Sequence, residues 1–452
     1  MTKPQLFPKG AHVIMIPNNS FNFKRSVKFN FNGGEISSDG GVFLFHDFLH
    51  KIGFLKFLKQ NFRIKTDKAE RKLNNTKLLL QFIYMTVLGY HNQSDYDTMK
   101  NDPALLSCFN DEDLGGQSAI SRFVDRLTDD TLIQLEDINE SLVDFYYQNN
   151  EPVYITSDLD TTNLAGFGKQ EGLEYNAHYK EVGLSALALF DQNGLFVKGE
   201  LRSGNTYCSK DVVKFIRPIL DKYNTEKYKD IEHLVRGDAG FATPGLYDAC
   251  EDTNTKYVIK LKSNNRLVTV AQEIAQEVLG ANIYHEDRVF TSEFMYKADS
   301  WRQPRRVVVE IRRPKGEMVC HFFFVVTNLE ARQSLVLALY RKRGTMENYI
   351  KESKNGFGIT KISQAKLITN QNQFLIKMIA YNLTKLFAAT ALPDTMKKHQ
   401  IGTIRNKVFK IGAKKIKHSG QVTFQYASAY PLQDDFHDIV SRIGELPPTG
   451  TG

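Results

Sequence analysis

The 452-residue chain carries 59 Lys and Arg against 51 Asp and Glu, a formal charge of +8 and a pI near 9.0, with 42% hydrophobic residues. That composition excludes a fibrous or disordered chain and leaves room for a large core shared among roughly two to four domains. The four cysteines (Cys108, Cys208, Cys250, Cys320) are scattered without a CxxC pair, which argues against a disulfide framework or a zinc site and fits a reducing cytoplasm.

Residues 1–40 read as short alternating strands ending in the turn-like SSDGG at Ser37. From Gly41 to about Asn150 the pattern is helical, with amphipathic runs at Phe43–Phe62, Asn75–Tyr90, Ala119–Leu127 and Thr131–Tyr147. Ser118 precedes the run that carries Arg122 and Arg126, a plausible helix pair for DNA or a plain packing unit. From Pro152 the period changes to strands: VYITSDLD, GLSALALF and LFVKGELR, then a helix, the short strand HLVRGD, a helix and the buried strand KYVIKL. Three strands followed by helix, strand, helix, strand match a ribonuclease-H-like α/β mixed sheet. Residues 283–327 alternate again and suggest a β-rich insertion, and helices return at 331–355 and 370–388.

No secretory core stands near the N-terminus, and the longest apolar run is far shorter than the roughly 20 residues that span a bilayer. A soluble chain is therefore expected, cytoplasmic and nucleoid-associated, with no membrane partner. The basic surplus suits a polyanion, chiefly through its distribution. Eight Lys and Arg lie between Lys397 and Lys417 with no acid among them, interleaved with apolar positions, and a second cluster (Arg302, Arg305, Arg306, Arg312, Arg313, Lys315) surrounds the only tryptophan, Trp301.

Two strands carry acids that an apolar strand would not keep without compensation. Alternation places Asp158 and Asp160 on one face of VYITSDLD, and HLVRGD ends in Asp238; each is either a turn aspartate or part of a site. The stretch Tyr340–Lys354 (YRKRGTMENYIKESK) reads as one helix, on which Tyr340, Arg343, Glu347 and Lys354 lie within roughly 60° of each other. That face is either a solvated charged stripe or a carboxylate set among cations. In a sheet whose first and fourth strands are neighbours, both aspartates emerge together and a helix across that edge brings in Glu347. Three converging carboxylates select Mg²⁺ or Mn²⁺, and two such ions suit in-line phosphoryl displacement.

On these residues the chain resembles the DDE transposases of bacterial insertion sequences, in the branch with a Tyr-x2-Arg-x3-Glu-x6-Lys signature, matched without gaps by Tyr340, Arg343, Glu347 and Lys354. The Asp160-Thr161-Thr162 and Arg236-Gly237-Asp238-Ala239-Gly240-Phe241 segments, SSDGG, Gly172 to Tyr179 and Leu201 to Asn205 extend the resemblance over about residues 35–420. It implies that Asp160, Asp238 and Glu347 are catalytic and hold two Mg²⁺ ions, with Mn²⁺ able to substitute. One ion activates water to nick the element's end, and the freed 3′-hydroxyl later attacks target DNA. Arg343 and Lys354 would grip the phosphate and Tyr340 would support them. Asp158 remains an alternative first ligand, with Asp160 favoured by its Asp-x-Thr context. Trp301 either stacks on a flipped base, with Arg302 beside it, or is half-buried on a β-ribbon.

The expected organisation is an N-terminal β segment (1–40), a helical DNA-binding domain (41–150), a catalytic domain in two parts (151–280 and 331–395) split by a β-rich insertion (281–330), and a basic C-terminal region (396–452). Arg122, Lys407 and Lys414 are expected to contact DNA. The expected function is cut-and-paste transposition on double-stranded DNA, terminal inverted repeats and target alike, by a homodimer on paired ends. A structure-selective nuclease, or a domesticated DNA-binding protein without catalysis, would be the alternatives.

Overall fold

The computed structural model describes residues 14–16, 27–29, 31–65 and 74–447. In the expected N-terminal segment residues 1–13, 17–26 and 30 lie outside the described residues, as do 448–452 in the expected C-terminal region. The described residues form two compact units, one from Met1–Lys56, Gln93–Ile120 and Thr390–Gly452, the other from Phe57–Asn92 and Ser121–Ala389. The helical stretch expected at 41–150 is thus shared between them. Among the described residues no helix is long and apolar enough to cross a membrane.

The larger unit is built on a nine-stranded mixed sheet. Its first strand is β1 (Tyr154–Ala165), followed by β2 (Glu181–Phe190) and β3 (Phe196–Ser203), paired antiparallel in sequence. The next two, β4 (Glu232–Gly237) and β5 (Lys256–Leu261), run parallel to β1 on its other side. The order β3-β2-β1-β4-β5 is the ribonuclease-H-like arrangement. The expected insertion supplies β6 (Arg288–Tyr296), β7 (Arg305–Arg313) and β8 (His321–Thr327), and β8 pairs antiparallel with β5. It therefore continues the sheet, and the backbone groups along the edge of β5 find partners instead of standing open.

Two local readings need correction. Asp160 lies inside β1, not at its end. The β1–β4 pairing stops at Asp158↔Arg236, while the β1–β2 pairing runs from Asp158↔Phe190 to Ala165↔Gly183. The strand therefore continues past the point where β4 leaves it, and Asp160 occupies the side that β4 vacates. Nor is Tyr340–Lys354 one α-helix. A helix at Gln333–Arg341 passes through a 3₁₀ turn at Lys342–Gly344 into α1 (Thr345–Phe357), and the tighter turn shifts the angular spacing of the residues before it.

Helix α2 (Leu367–Thr390) is buried nearly all round. Its polar residues serve the outer strand of the sheet. The Gln371 side chain accepts from Leu201 N (2.6 Å) and donates to Gly199 O (2.9 Å), and Asn382 accepts from Phe196 N (2.9 Å). Side-chain amides thus take the hydrogen bonds a further strand would have made. The helix Asn265–Leu279, capped by Asn264 accepting from Leu267 N, was not among the expected elements.

In the smaller unit, Glu35–Ser37, Ala413–His418 and Gln421–Tyr426 make a three-stranded antiparallel sheet. The SSDGG turn is tied to the segment that leads into Ala413–His418: Gly40 N and Gly41 N donate to Ile411 O and Phe409 O, and Asp39, fully buried, pairs with Lys410 at 2.5 Å. At Gly41 a Cβ would lie 1.7 Å from Val408 O, so only glycine fits. The basic 397–417 stretch is accordingly folded chain, and acids remote in sequence (Asp39 and Asp111) neutralise Lys410 and Lys415.

Candidate active site

The parallel register sets Asp158 opposite Arg236 as its last pair; Asp160 follows two residues on within β1, and Asp238 follows two residues on, just past the end of β4. Asp158 and Arg236 form a buried pair, with Arg236 Nε and Nη2 each donating at 2.6 Å to one carboxylate oxygen and Nη1 donating to Leu339 O at 2.7 Å. Both Asp158 oxygens are engaged, and burial, opposed by Arg236, raises its pKa above the usual carboxylate range. Asp158 is therefore the clamp that keeps β1 and β4 in register. Its neighbour two residues on has no such partner in the strand.

Asp238 begins a 3₁₀ turn (Ala239–Phe241) and accepts from Gly240 N at 2.8 Å. Asp160 accepts from Thr161 N at 2.8 Å. Glu347, exposed in the first turn of α1, sits where a helix favours negative charge. Burial raises the pKa of Asp160; Arg343 and the Thr161 amide oppose that, and Asp238 and Glu347 add repulsion. Each of the other two acids is thus within electrostatic reach of Asp160.

Arg343 is 8% exposed, donates to Leu159 O at 3.0 Å and stands 3.2 Å from Asp160, while its Nε has no hydrogen-bond partner. Burial lowers its pKa, and Asp160 and Asp238 more than offset this, so it stays above the ordinary value. Its observed role is counter-charge to Asp160, which differs from a side chain free to grip phosphate. Tyr340 packs against Phe323 (5.4 Å between ring centroids), and burial raises its hydroxyl pKa, with Arg343 opposing and Asp238, Asp160 and Glu347 adding. Lys354, in the last turn of α1, is lowered by burial against the pull of Glu181 and Asp160. The structure therefore groups Asp160, Asp238, Glu347, Tyr340, Arg343 and Lys354.

Other expected contact residues lie elsewhere. Trp301 is 6% exposed, packed edge-on to Tyr247 and Tyr296 with Arg305 over its ring. Its large apolar surface is spent in the core, so neither face is open to a base, which corrects the stacking reading. Arg302 is mostly exposed and pairs with Asp248 at 3.3 Å. Arg122 is exposed on the helix Gln117–Val124. Lys414 is exposed on Ala413–His418, and Lys407 is half-buried beside it in sequence, its carbonyl accepting from Tyr430. Two residues near the acids had been given no role from the sequence: Tyr179, whose hydroxyl donates to Thr161 O at 2.9 Å, and Cys208, packed against Gly240. The i,i+2 repeat of charge on both strands (Asp158/Asp160, Arg236/Asp238) was the available signal for the clamp.

Among the described residues no set of three His, Cys, Asp or Glu side chains closes into a metal cage. Mg²⁺ ordinarily takes one or two carboxylates, with water and substrate phosphate completing its shell. An all-oxygen set, with Asp160 repelled by both neighbours and Arg343 partly relieving it, has the chemistry of a hard divalent-cation site.

A family model described as transposase DDE domain group 1 matches residues 19–448. No curated protein matches. Among solved structures, a piggyBac transposase synaptic complex with hairpin DNA aligns with 91% of this chain and 86% of its own at 11% identity and a TM-score of 0.38. The Mos1 strand transfer complex aligns with 49% of this chain and 71% of its own at 11% identity and a TM-score of 0.15.

Proposed function

The chain belongs to the group 1 transposase DDE domain family, and we propose that it is a cut-and-paste enzyme of a bacterial insertion sequence. It cleaves DNA at terminal inverted repeats and joins the freed ends to target DNA. The observation that carries the reading is that Asp160 on β1 and Asp238 just past the end of β4 each follow the last β1–β4 pair by two residues, with Asp238 and Glu347 both in electrostatic reach of Asp160.

Asp160, Asp238 and Glu347 are the residues that would hold two Mg²⁺ ions, or Mn²⁺ in their place. Bound there, divalent ions polarise the phosphoryl group and generate an oxygen nucleophile at neutral pH. The chain's own contribution is positional. The Asp158–Arg236 clamp fixes the level of the two aspartates, and Arg343 holds β1 through Leu159 O while lowering the repulsion at Asp160. Tyr340 packs on Phe323 with its hydroxyl in electrostatic reach of Arg343, and Lys354 offers a cation on the same helix as Glu347. Incoming phosphate can take over Arg343 from Asp160 once the carboxylate is neutralised otherwise. Arg122, Arg302, Lys407 and Lys414 are exposed or half-exposed cations for the flanking duplex, and two copies on paired ends would complete the reaction.

Linear DNA ending in the inverted repeats that flank the gene tests this directly, with cleaved and joined products resolved in Mg²⁺. The wild-type chain should give both products. Asp160→Ala, Asp238→Ala and Glu347→Ala should bind the DNA and give neither. Cleavage by Glu347→Ala in Mg²⁺ would sink the assignment.

A further inference from the structure

Two sequence motifs that the carboxylate site leaves unused meet at its rim. Residues 172–179 (GLEYNAHY) and 201–205 (LRSGN) are joined by Asn176, whose Nδ2 donates to Gly204 O at 2.7 Å while its Oδ1 accepts from His178 N and Tyr179 N. Gly204 N in turn donates to Gly172 O at 3.0 Å. A Cβ at Gly204 would lie 2.1 Å from Gly183 O and 2.4 Å from Glu174 O, so the close approach requires glycine.

Each arm of this junction reaches one of the two aspartates. Through Tyr179 the first arm bonds Thr161, the residue after Asp160. Through Cys208 the second packs on Gly240 in the turn that Asp238 opens. The side chains left outward are aromatic: Tyr175 is 56% exposed and Tyr207 is 67% exposed, one and three residues from the Asn176–Gly204 bond. Exposed tyrosines on these two arms have no use in the metal site. Positive charge accompanies them. Lys180 and Lys210 are exposed and, among the described residues, have no ion pair. Arg202, buried at 7% exposure, holds the second arm from inside, Nη1 donating to Cys208 O and Lys210 O.

We propose that the two arms form a clamp for the unpaired end of a DNA strand. Tyr175 and Tyr207 would stack on its bases, and Lys180 and Lys210 would meet its backbone. A duplex keeps its base faces stacked on each other, so ring faces of this kind select single-stranded nucleotides, while cations alone would take either form. The location rests on the transposase reading, since an end freed at Asp160 and Asp238 emerges beside both arms. The stacking chemistry does not depend on it.

The test is fluorescence anisotropy in EDTA, so that no cleavage occurs, with a labelled oligothymidylate of about 20 nucleotides and a duplex of the same length. Tyr207→Ala and Tyr175→Ala should each weaken binding of the single strand roughly tenfold, as expected for one lost stacked base, and leave duplex binding within about twofold. Tyr207→Trp should restore the single-strand affinity. Unchanged single-strand binding in both alanine variants, or equal loss for strand and duplex, would overturn the clamp. Its failure is separable from that of the proposed reaction: a wild-type chain that cuts repeat ends but shows no Tyr207 dependence keeps the reaction and loses the clamp, and the converse result does the opposite.

Discussion

Two regions of the sheet, one near its edge at β7 and one at its middle between β1 and β4, use charge in opposite ways. Near the far edge, Arg305 on β7 is 3% exposed and donates to Asp248 at 2.5 Å and to Glu251 at 2.7 and 2.8 Å, with Tyr257 donating to the same glutamate. Burial works against the Glu251 carboxylate, yet Arg305 and its other donors hold it below the usual range. Where β4 leaves β1, Arg343 faces a field set by Asp160, Asp238 and Glu347, and Asp160 is held above the usual range. Buried carboxylates fully supplied with donors are scaffold. A surplus of carboxylate over cation in a half-exposed corner is a cost to the fold, which makes sense only if something positive is bound there.

The contrast predicts that the two kinds of acid fail differently when changed. Asp160→Asn should lower Mg²⁺-dependent cleavage by on the order of a thousandfold or more, since the oxygen donor shared by both neighbours is weakened. Its urea midpoint should stay level or rise, because a repelled charge is removed. Arg305→Met should do the reverse. It strands two carboxylates and should cost about 3–5 kcal/mol in urea unfolding, with cleavage per folded molecule unchanged. An Asp160→Asn chain that unfolds as readily as Arg305→Met would erase the distinction.

Much of this was legible in the sequence, and the failures have identifiable causes. Period-2 runs located β1 to β5, and the order of strands and helices was enough for the ribonuclease-H-like arrangement. Alternation could not separate Asp158 from Asp160, because it assigns them one face; only the cross-strand register Asp158↔Arg236 does so. Arginines around Trp301 suggested a DNA-facing aromatic, but Arg305 belongs to a buried ion cluster and covers the ring. The polar residues of α2 carried no sign that they would serve the edge of β3. Asn265–Leu279 was passed over although Asn264 is an ordinary N-cap. Local pattern reports faces and periods; which charge meets which partner is decided by chain segments far apart.

Asp191 refines the comparison, being a buried acid supplied with donors that are all neutral. It accepts from Tyr147 Oη at 2.8 Å, from Asn193 N and Leu195 N at 2.9 and 2.7 Å, and from Asn193 Nδ2 at 3.1 Å, and burial pushes its pKa up to about 6. A folded value above the unfolded one means that its stabilising effect is complete below the unfolded pKa and is lost as pH rises through about 6. A rise from 3.8 to about 6 corresponds to on the order of 3 kcal/mol. Relative to Asp191→Asn, the wild-type chain should therefore lose about that much stability between about pH 4 and pH 7.5, read from urea midpoints at the two ends. A constant gap would mean that these neutral donors already hold the charged form as well as water does.

The smallest effect tests the same rule in the other unit, on adjacent lysines of one strand. Alternation turns Lys415 inward, where it is 7% exposed, pairs with Asp111 and donates to Ser107 Oγ at 2.7 Å; Lys414 is turned outward and exposed. Only the outward cation is available to displace counterions from a phosphate backbone. Lys414→Ala should reduce the slope of log affinity for duplex DNA against log salt by about one, with stability unchanged. Lys415→Ala should leave the slope alone and lower the urea midpoint, because Asp111 and Ser107 lose a buried partner. Equal slopes for both variants would place this strand away from the DNA and return the expected contact at Lys414 to an ordinary solvated lysine.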